Sequence, residues 1–307
     1  MNSLQNVRLS FIGCGVMAEA IVAGLLRRNL VAPSQIIASH PRAARREELK
    51  KKYGIAVVES NVDAVAFGSP AAGENPSDSS SIVVLAVKPQ RLAGVLRELR
   101  AQLQQEQLVL SIVAGATIAT IVEELLHPAV VRAMPNTPAQ IGEGITAWTS
   151  TPISEVQLEQ VRALLGALGK EVYVETERMI DMATALSATG PTYIFLVMEA
   201  LIDAGVHMGF SRHVAQDFVL QTMLGSVLFA RESGKHPAEL RNMVTSPGGT
   251  SAEAIYQMEK GSLRTVLSKA VWAAFQRAAE LGRRTHSRQT ASETARNEPA
   301  ADVESHN

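Results

Sequence analysis

A glycine-containing turn near the start of the chain constrains the fold more than any other feature. Residues 11–18 read FIGCGVMA; they end an apolar segment of strand length, Val7–Gly13, and open a segment of helical character. The spacing Gly-x-Gly-x-x-Ala is a variant of the dinucleotide-binding fingerprint. Gly13 would allow the tight turn, Gly15 would let the backbone approach a pyrophosphate, and Ala18 would let the helix pack closely on the strand. An ordinary tight turn between a strand and a helix is the alternative, and the glycines alone leave it open.

The chain up to about residue 175 alternates short apolar runs with amphipathic stretches. The strand candidates are Val7–Gly13, Gln35–Ser39, Ile55–Val58, Ser81–Val87, Leu108–Val113, Ala129–Arg132 and Glu171–Val174. The helix candidates between them are Ala18–Arg28, Ala43–Tyr53, Arg91–Gln104, Ile118–Leu126 and Ser154–Leu168. This alternation predicts an α/β fold: a Rossmann-type, doubly wound and mostly parallel sheet with helices on both faces.

From about residue 178 onward the pattern becomes helical. The helix candidates are Pro191–Met208, Ser211–Arg231, Ala252–Lys260 and Leu263–Leu281, with Ser211 and Ser262 as expected N-caps. We therefore expect a dinucleotide-binding domain over residues 1–175, an all-α-helical dimerisation and substrate domain over 176–284, and a disordered tail over 285–307. Within the first domain, Gly68–Ser81 is rich in Gly, Pro, Ser and Asp and is expected to be a surface insertion.

The end of the second strand candidate bears on which dinucleotide binds. Sites that prefer NAD usually carry an acid about 20 residues after the glycines, where it binds the ribose 2′-hydroxyl. Residues 20–46 contain no Asp or Glu, and the strand ends in Ser39 and His40 with Arg42 just beyond. An arginine and a hydroxyl suit a 2′-phosphate, so we expect a preference for NADPH, with NADH possible. The basic pair at 45–46 fits the same role or, alternatively, the solvated face of the next helix.

Charge and composition argue against several other classes of function. Lys and Arg total 29 against 30 Asp and Glu, which argues against a surface that binds nucleic acid. Aromatic residues make up 4% of the chain, too few for base-stacking platforms. The single cysteine, Cys14, and seven scattered histidines indicate no disulfide and no metal site. The N-terminus lacks a signal-like apolar region and no run of about 18 uncharged apolar residues occurs, so we expect a cytoplasmic protein without a membrane span.

Four further segments of the chain, besides the glycine turn, bear on its function. They are AVKPQ at 86–90, MPNTP at 134–138, SATGPTY at 187–193 and ELRNMVTSPGGTSAEAIYQME at 239–259. The last contains a small, hydroxyl-rich loop before a helix, whose backbone amides can hold a carboxylate; a capping loop with Ser251 as N-cap is the alternative, and both can be true. Together with the glycine turn, these segments resemble the pyrroline-5-carboxylate reductase family over roughly Val7 to Arg283.

The resemblance implies an NAD(P)H-dependent oxidoreductase that reduces 1-pyrroline-5-carboxylate to L-proline, the last step of proline biosynthesis. It implies helices that interleave between two subunits, an active site at each dimer interface, a homodimer as minimal unit and a higher homo-oligomer such as a decamer. It also implies cofactor contacts from Ile12, Gly13, Cys14, Gly15, Val16, Met17, Ser39, His40, Arg42, Asn61, Ala86, Val87, Lys88, Pro89, Ala114, Gly115 and Ala116. Substrate contacts are implied for Val244, Ser246, Pro247, Gly248, Gly249, Thr250 and Ser251.

The expected chemistry is direct hydride transfer to the C5 imine carbon, with Ser251 and Thr250 as the catalytic residues. The family usually carries Thr at position 251; serine keeps the hydroxyl but lacks the methyl group that stiffens χ1. Two other functions fit parts of the chain. A β-hydroxyacid dehydrogenase usually needs a lysine on the long interdomain helix, and Pro191–Met208 has none. A non-catalytic NADPH-binding regulator would keep the glycine turn but has no reason to keep the loop at 244–251.

Overall fold

A computed structural model describes residues 2–68 and 80–297 of the chain, with side chains described up to residue 282. These residues form two compact units. The first unit contains the described residues up to Ala188 together with the part of the last helix that begins at Phe275, and the second unit is Thr189–Ala274.

The first unit is built around a sheet that has eight strands among the described residues. They are β1 (Val7–Ile12), β2 (Ile36–Ser39), β3 (Ala56–Val58), β4 (Ser80–Leu85), β5 (Leu108–Ser111), β6 (Val130–Met134), β7 (Gly144–Ser150) and β8 (Gly169–Tyr173). Their order is β3-β2-β1-β4-β5-β6-β7-β8. Strands β1 to β6 are parallel, whereas β7 runs antiparallel to β6 and parallel to β8. The predicted Rossmann-type sheet is confirmed.

Helices cover both faces of this sheet. They are α1 (Val16–Arg27), α2 (Ala43–Tyr53), α3 (Asn61–Ala66), α4 (Pro89–Leu99), α5 (Ile118–Leu125), α6 (Glu155–Gly166) and α7 (Glu177–Ala183). Successive strand residues point to opposite faces, so Phe11 joins the core beneath α1 and Ile12 joins the core beneath α4 and α5. The order 3-2-1-4-5 reverses between β1 and β4, and in such sheets ligands bind in the crevice at the carboxyl ends of the strands there.

The second unit is helical. It consists of α8 (Gly190–His207), α9 (Arg212–Ser233), α10 (Pro237–Met243), α11 (Thr250–Lys260) and the first part of α12 (Leu263–Asn297). Helices α8 and α9 approach closely where Gly205 faces the buried Ala215; a Cβ on this glycine would lie 2.9 Å from the alanine Cβ. Ser211 caps α9 as expected, because its Oγ accepts the backbone N–H of Val214.

The observed ends of some elements bear on the expected segments. Ser80 and Ser81 belong to β4, where they pair with Val7 and Arg8 of β1, so these two residues are not part of the expected insertion. Residues 69–79 lie outside the described residues. Helix α12 continues through residues 285–297, where we expected a disordered tail, and residues 298–307 are not described. Helix α7 packs on β6 and β7 and so lies in the first compact unit.

Candidate active site

The glycine turn has the geometry that dinucleotide binding needs. Gly13 has a φ of 82°, and a Cβ there would lie 2.7 Å from the Cγ1 of Val87, so a larger residue would be both strained and obstructed. Gly15 is the N-cap of α1, and open space lies where its Cβ would be. The first-turn amides of α1 therefore face an unobstructed approach, as a pyrophosphate site requires.

Cys14 lies inside this turn and is fully buried. Its backbone N–H donates to the Ser39 carbonyl at 3.2 Å, which ties the turn to the end of β2. Burial raises the pKa of the Cys14 thiol to about 12, so the thiol stays protonated at neutral pH. This residue is therefore a small packing element of the turn and no nucleophile.

A hydrogen-bonded chain connects the turn with the ends of β2 and β3. The buried Ser39 Oγ accepts the N–H of Gly13 at 3.1 Å and donates to Asn61 Oδ1 at 2.7 Å. Asn61 opens α3, and its Nδ2 donates to Glu98. Ser39 and Asn61, which were predicted separately as cofactor contacts, are thus brought together by direct contact beside the glycine turn.

The three arginines after β2 have different environments. Arg45 pairs with Glu19 and Glu48, and Arg46 donates to the carbonyls of His40 and Pro41 while pairing with Glu59. Over residues 2–68 and 80–282, the guanidinium of Arg42 has no such partner.

Arg42 is therefore the arginine available to a 2′-phosphate at this edge. It is exposed at the N-cap of α2, and its N–H donates to the Nδ1 of His40 at 3.2 Å. Burial, and next the positive charge of Arg42, lower the pKa of His40, so its imidazole is neutral and can accept this bond.

The ends of β4 and β5 supply the other predicted cofactor contacts. Ala86 donates its N–H to the Ile12 carbonyl at 3.0 Å, which holds the segment 86–89 against the glycine turn. Lys88 is the exposed N-cap of α4, and Pro89 occupies its first position, where no amide donor is needed. Beyond β5, Gly115 has a φ of 74° within the mostly buried segment 114–116. These segments share the carboxyl edge of the sheet. The first unit fits an NADP-type dinucleotide because the glycine turn, the first-turn amides of α1, the Ser39 hydroxyl and Arg42 are all present.

The predicted substrate loop lies in the second unit. Gly248 has a φ of 69°, and Gly249, the N-cap of α11, lies so close to Ser246 that an added Cβ would be 2.5 Å from its Oγ. Thr250 and Ser251 are the first two residues of the helix, so the expectation that Ser251 is the N-cap is wrong. Since the first-turn amides of a helix lack partners within it, the loop presents donors and hydroxyls together.

The segments MPNTP and SATGPTY both contain regular structure. In the segment 132–138, Arg132–Met134 belongs to β6 and a 3₁₀ turn begins at Thr137. Asn136 accepts the N–H of Ile145 with its Oδ1, at 2.9 Å, and its Nδ2 lies 3.4 Å from the Ser187 carbonyl. Ser187 is part of a π-helical turn, Thr184–Ala188, before α8. Asn136 therefore joins β7 to this turn.

Sequence reasoning missed a buried ion-pair cluster behind these loops. Arg132 contacts both Glu177 and Asp181 of α7. The apolar run around Arg132 was the one available signal, since a charged residue inside a buried strand needs a partner. Within residues 2–68 and 80–282, no group of three His, Cys, Asp or Glu side chains could hold a metal ion.

Comparisons with known proteins agree with this geometry. Residues 177–281 match the family model described as pyrroline-5-carboxylate reductase dimerisation, and residues 8–115 match one described as NADP oxidoreductase coenzyme F420-dependent. Pyrroline-5-carboxylate reductases of Synechocystis sp. and Pseudomonas aeruginosa are 39% and 40% identical to the chain, each over 91% of it, and the alignments cover 100% and 98% of those proteins.

Solved structures give the same result. The Plasmodium falciparum pyrroline carboxylate reductase with NADP bound has a TM-score of 0.79 at 30% identity, covering 91% of this chain and 99% of that one. The Coxiella burnetii pyrroline-5-carboxylate reductase has a TM-score of 0.78 at 34% identity, covering 90% of this chain and 98% of that one.

Among the described residues, one helical stretch, Glu177–His207, is long and apolar enough by length and composition to cross a membrane, and 6% of its apolar window is buried inside the structure. A single stretch of this kind is weak evidence for a span, and this one begins where the dimerisation match begins. Its exposed apolar residues therefore fit a surface that another copy of the chain covers. The two domain matches and the full-length relatives show that the chain belongs to the pyrroline-5-carboxylate reductase family.

Proposed function

We propose that this chain reduces 1-pyrroline-5-carboxylate to L-proline with NADPH. The observation that carries the proposal is the start of α11. There Gly248 and Gly249 turn the backbone so that free amides and the hydroxyls of Thr250 and Ser251 occur within one helical turn. This small region offers donors for a carboxylate and a hydroxyl for a ring nitrogen, which are the two polar groups of the proposed substrate.

Each residue has a distinct task in this mechanism. The amides of Gly248, Thr250 and Ser251 hold the substrate carboxylate, and the Ser251 hydroxyl hydrogen-bonds the ring nitrogen; the Gly249 amide is already bonded to the Ser246 carbonyl. Protonation of that nitrogen, relayed from water through Ser251, makes C5 more electrophilic. The dinucleotide, when bound, supplies a hydride from nicotinamide C4. The C=N π electrons become the nitrogen lone pair as the new C–H bond forms. Most of the acceleration comes from the orientation of the two reactants.

The proposed preference for NADPH over NADH rests on the residues that follow β2. Arg42 is exposed at the N-cap of α2, whereas Arg45 and Arg46 are engaged by carboxylates. A free guanidinium binds a 2′-phosphate dianion better than the 2′-hydroxyl of NADH. We therefore infer that NADPH is preferred and that NADH is a slower alternative.

We further propose the assembly that this chemistry uses. The active site lies at a homodimer interface, where helices of two subunits interleave, and the dimers associate further, as in a decamer. The dinucleotide-binding domain ends near residue 175, and residues 176–284 form the dimerisation and substrate domain. The enzyme acts in the cytoplasm, without a membrane or nucleic-acid partner.

The test is NADPH oxidation, followed by absorbance, with 1-pyrroline-5-carboxylate as substrate. We expect turnover that requires both compounds, and proline-dependent reduction of NADP⁺ at high pH. A β-hydroxyacid dehydrogenase would instead reduce NADP⁺ with hydroxy acids. If the protein binds NADPH but neither direction turns over, the non-catalytic regulator is the better interpretation.

A further inference from the structure

A buried ion-pair cluster joins the carboxyl end of β6 to α7. The guanidinium of Arg132, with a side chain 5% exposed, donates from Nη1 to Glu177 Oε1 at 3.0 Å and from Nη2 to Asp181 Oδ1 at 2.8 Å. The sheet register sets Arg132 beside Ser111, the last residue of β5. The cluster therefore lies at the level where the chain leaves β5 and enters the segment 112–117.

Glu177 has a second contact within this cluster. Its Oε1 also accepts the backbone N–H of Ile118 at 2.9 Å. Ile118 is the first residue of α5, directly after the N-cap Thr117, so its amide is one of those that the helix itself leaves without a partner. A carboxylate suits this position because the helix dipole is positive at its N-terminus. Across the part of the chain that the structure describes, Asp181 bonds Arg132 and contacts no such amide.

The segment 114–116 lies between two constraints. On one side, Glu177 fixes the amide two residues beyond Ala116. On the other, Leu281 of α12 packs over Gly115; a Cβ on that glycine would lie 3.1 Å from the Cβ of Leu281. The segment Ala114–Ala116 follows β5 at the carboxyl edge of the sheet. Its position therefore sets the shape of the ligand crevice on the side away from the glycine turn.

We propose that Glu177 is a positioning residue for the nicotinamide half of the bound dinucleotide, acting through the Ile118 amide and the segment 114–116. The inference rests on the proposed function only in taking NADPH as the ligand. Arg132 holds the Glu177 carboxylate in place, and Glu177 holds the start of α5. Asp181 is a second carboxylate partner of Arg132 and has no part in positioning.

The experiment compares Glu177→Ala with the matched control Asp181→Ala, since each removes one carboxylate from the same guanidinium. Two probes are titrated calorimetrically: NADPH, and adenosine 2′,5′-bisphosphate, which lacks the nicotinamide half. We expect Glu177→Ala to raise the Kd for NADPH about tenfold, or about 1.4 kcal/mol, and to leave the Kd for the bisphosphate unchanged. Asp181→Ala should lower Tm and leave both Kd values unchanged.

Glu177→Gln provides the conservative variant. Its neutral amide oxygen can still accept the Ile118 N–H, but through a weaker bond, so we expect a rise of about threefold in the Kd for NADPH. It also replaces Glu177→Ala if the alanine variant does not fold. Equal rises for both probes, equal rises in the Glu177 and Asp181 variants, or an unchanged Kd for NADPH would overturn the proposal. The titrations contain no pyrroline carboxylate, so they stay valid even if the proposed reaction fails.

Discussion

Residue 251 carries the hydroxyl that the proposed reaction needs, without the methyl group that the related enzymes usually have. Ser251 is half-buried at the second position of α11, where a serine side chain can rotate more freely about χ1 than a threonine. Its contribution therefore rests on the hydroxyl alone.

Replacing Ser251 by Ala removes the hydrogen bond to the ring nitrogen. We expect kcat/KM for pyrroline carboxylate to fall by an amount equivalent to about 1–3 kcal/mol, as for loss of one buried hydrogen-bond partner. Steady-state kinetics with NADPH saturating measures this. Ser251→Thr is the control and should keep the wild-type value within about twofold. Wild-type kinetics in the alanine variant would remove Ser251 from the mechanism.

Arg42 is the second residue whose role can be isolated. Because Arg45 and Arg46 are held by carboxylates, Arg42→Ala should leave the 2′-phosphate without a guanidinium. We expect the ratio of kcat/KM for NADPH to that for NADH to fall about 10- to 100-fold, the range for one charge-assisted hydrogen bond. Lys51→Ala removes the same charge from an exposed position on α2 and should leave the ratio unchanged. An unchanged ratio in Arg42→Ala would refute the NADPH preference argued here.

Sequence reasoning could name the candidate contacts of the site but not the residues that support them. The turn at Gly13, the hydroxyl of Ser39 and the loop before α11 were all recognisable, because each depends on residue type and local spacing. The pairing of Arg132 with Glu177 was not, since it joins residues 45 positions apart through tertiary packing. The differing roles of the arginines after β2 also depended on partners distant in sequence, such as Glu19.

At the scale of elements, one carboxylate joins α1 to α2. Glu19 accepts hydrogen bonds from Lys52 Nζ at 2.8 Å and Tyr53 Oη at 2.7 Å, and it also pairs with Arg45. Burial opposes ionisation of Glu19, but these hydrogen bonds outweigh it and lower its pKa to about 2. Since the folded pKa is below the unfolded value near 4.5, the stabilisation is present above pH 4.5 and is lost as pH falls toward 2.

Glu19→Gln should therefore destabilise the protein by about 1–2 kcal/mol at pH 7, and the difference from wild type should shrink between pH 4.5 and 2. Thermal unfolding at a series of pH values measures it. Glu47→Gln, which removes an exposed carboxylate that pairs with Lys50 on α2 alone, is the control and should show a small difference throughout. A difference for Glu19→Gln that is constant across this pH range would contradict the assignment.

Elements were predictable where their pattern was long and local. Helix α8 has sustained periodicity and α2 is rich in strong helix formers, and both were predicted within a residue or two of their observed ends. Strand β7 was missed because Gly144–Ser150 mixes small, polar and apolar residues and pairs antiparallel with β6, which no local pattern indicates. Helices α3, α7 and α10 are six or seven residues long, too short for a periodic signal. The sequence of residues 285–297 is polar and has no hydrophobic periodicity, so it gave no local signal for a helix.

At the scale of the whole molecule, the second unit exposes large apolar side chains that fit an interface with a partner protein. Helix α9 exposes large apolar side chains along most of its length: Val214, Phe218, Leu220, Leu224, Val227 and Phe229. Large apolar side chains exposed in such number on a helical unit usually mark a protein interface. The family match assigns this region to dimerisation.

A charge on this surface should weaken self-association. Val227 is 65% exposed in the single chain, so Val227→Asp is expected to keep the fold while burying an unpaired carboxylate in the interface. Light scattering after size exclusion should show a homo-oligomer for wild type and a smaller species for the variant at about 10 μM. Gln221→Asp places the same charge at a polar position of α9 and serves as the control. Identical masses for wild type and Val227→Asp would place the interface elsewhere.

The burial of Cys14 has a consequence for how the enzyme meets oxidants. Thiolates attack peroxides and disulfides, and this thiol is both fully buried and held protonated. The chain has no other cysteine, so oxidants have no reactive thiol through which they could modify the glycine turn. Proline output would then follow the supply of reduced nicotinamide and of substrate, and it would be insensitive to the thiol redox state of the cell.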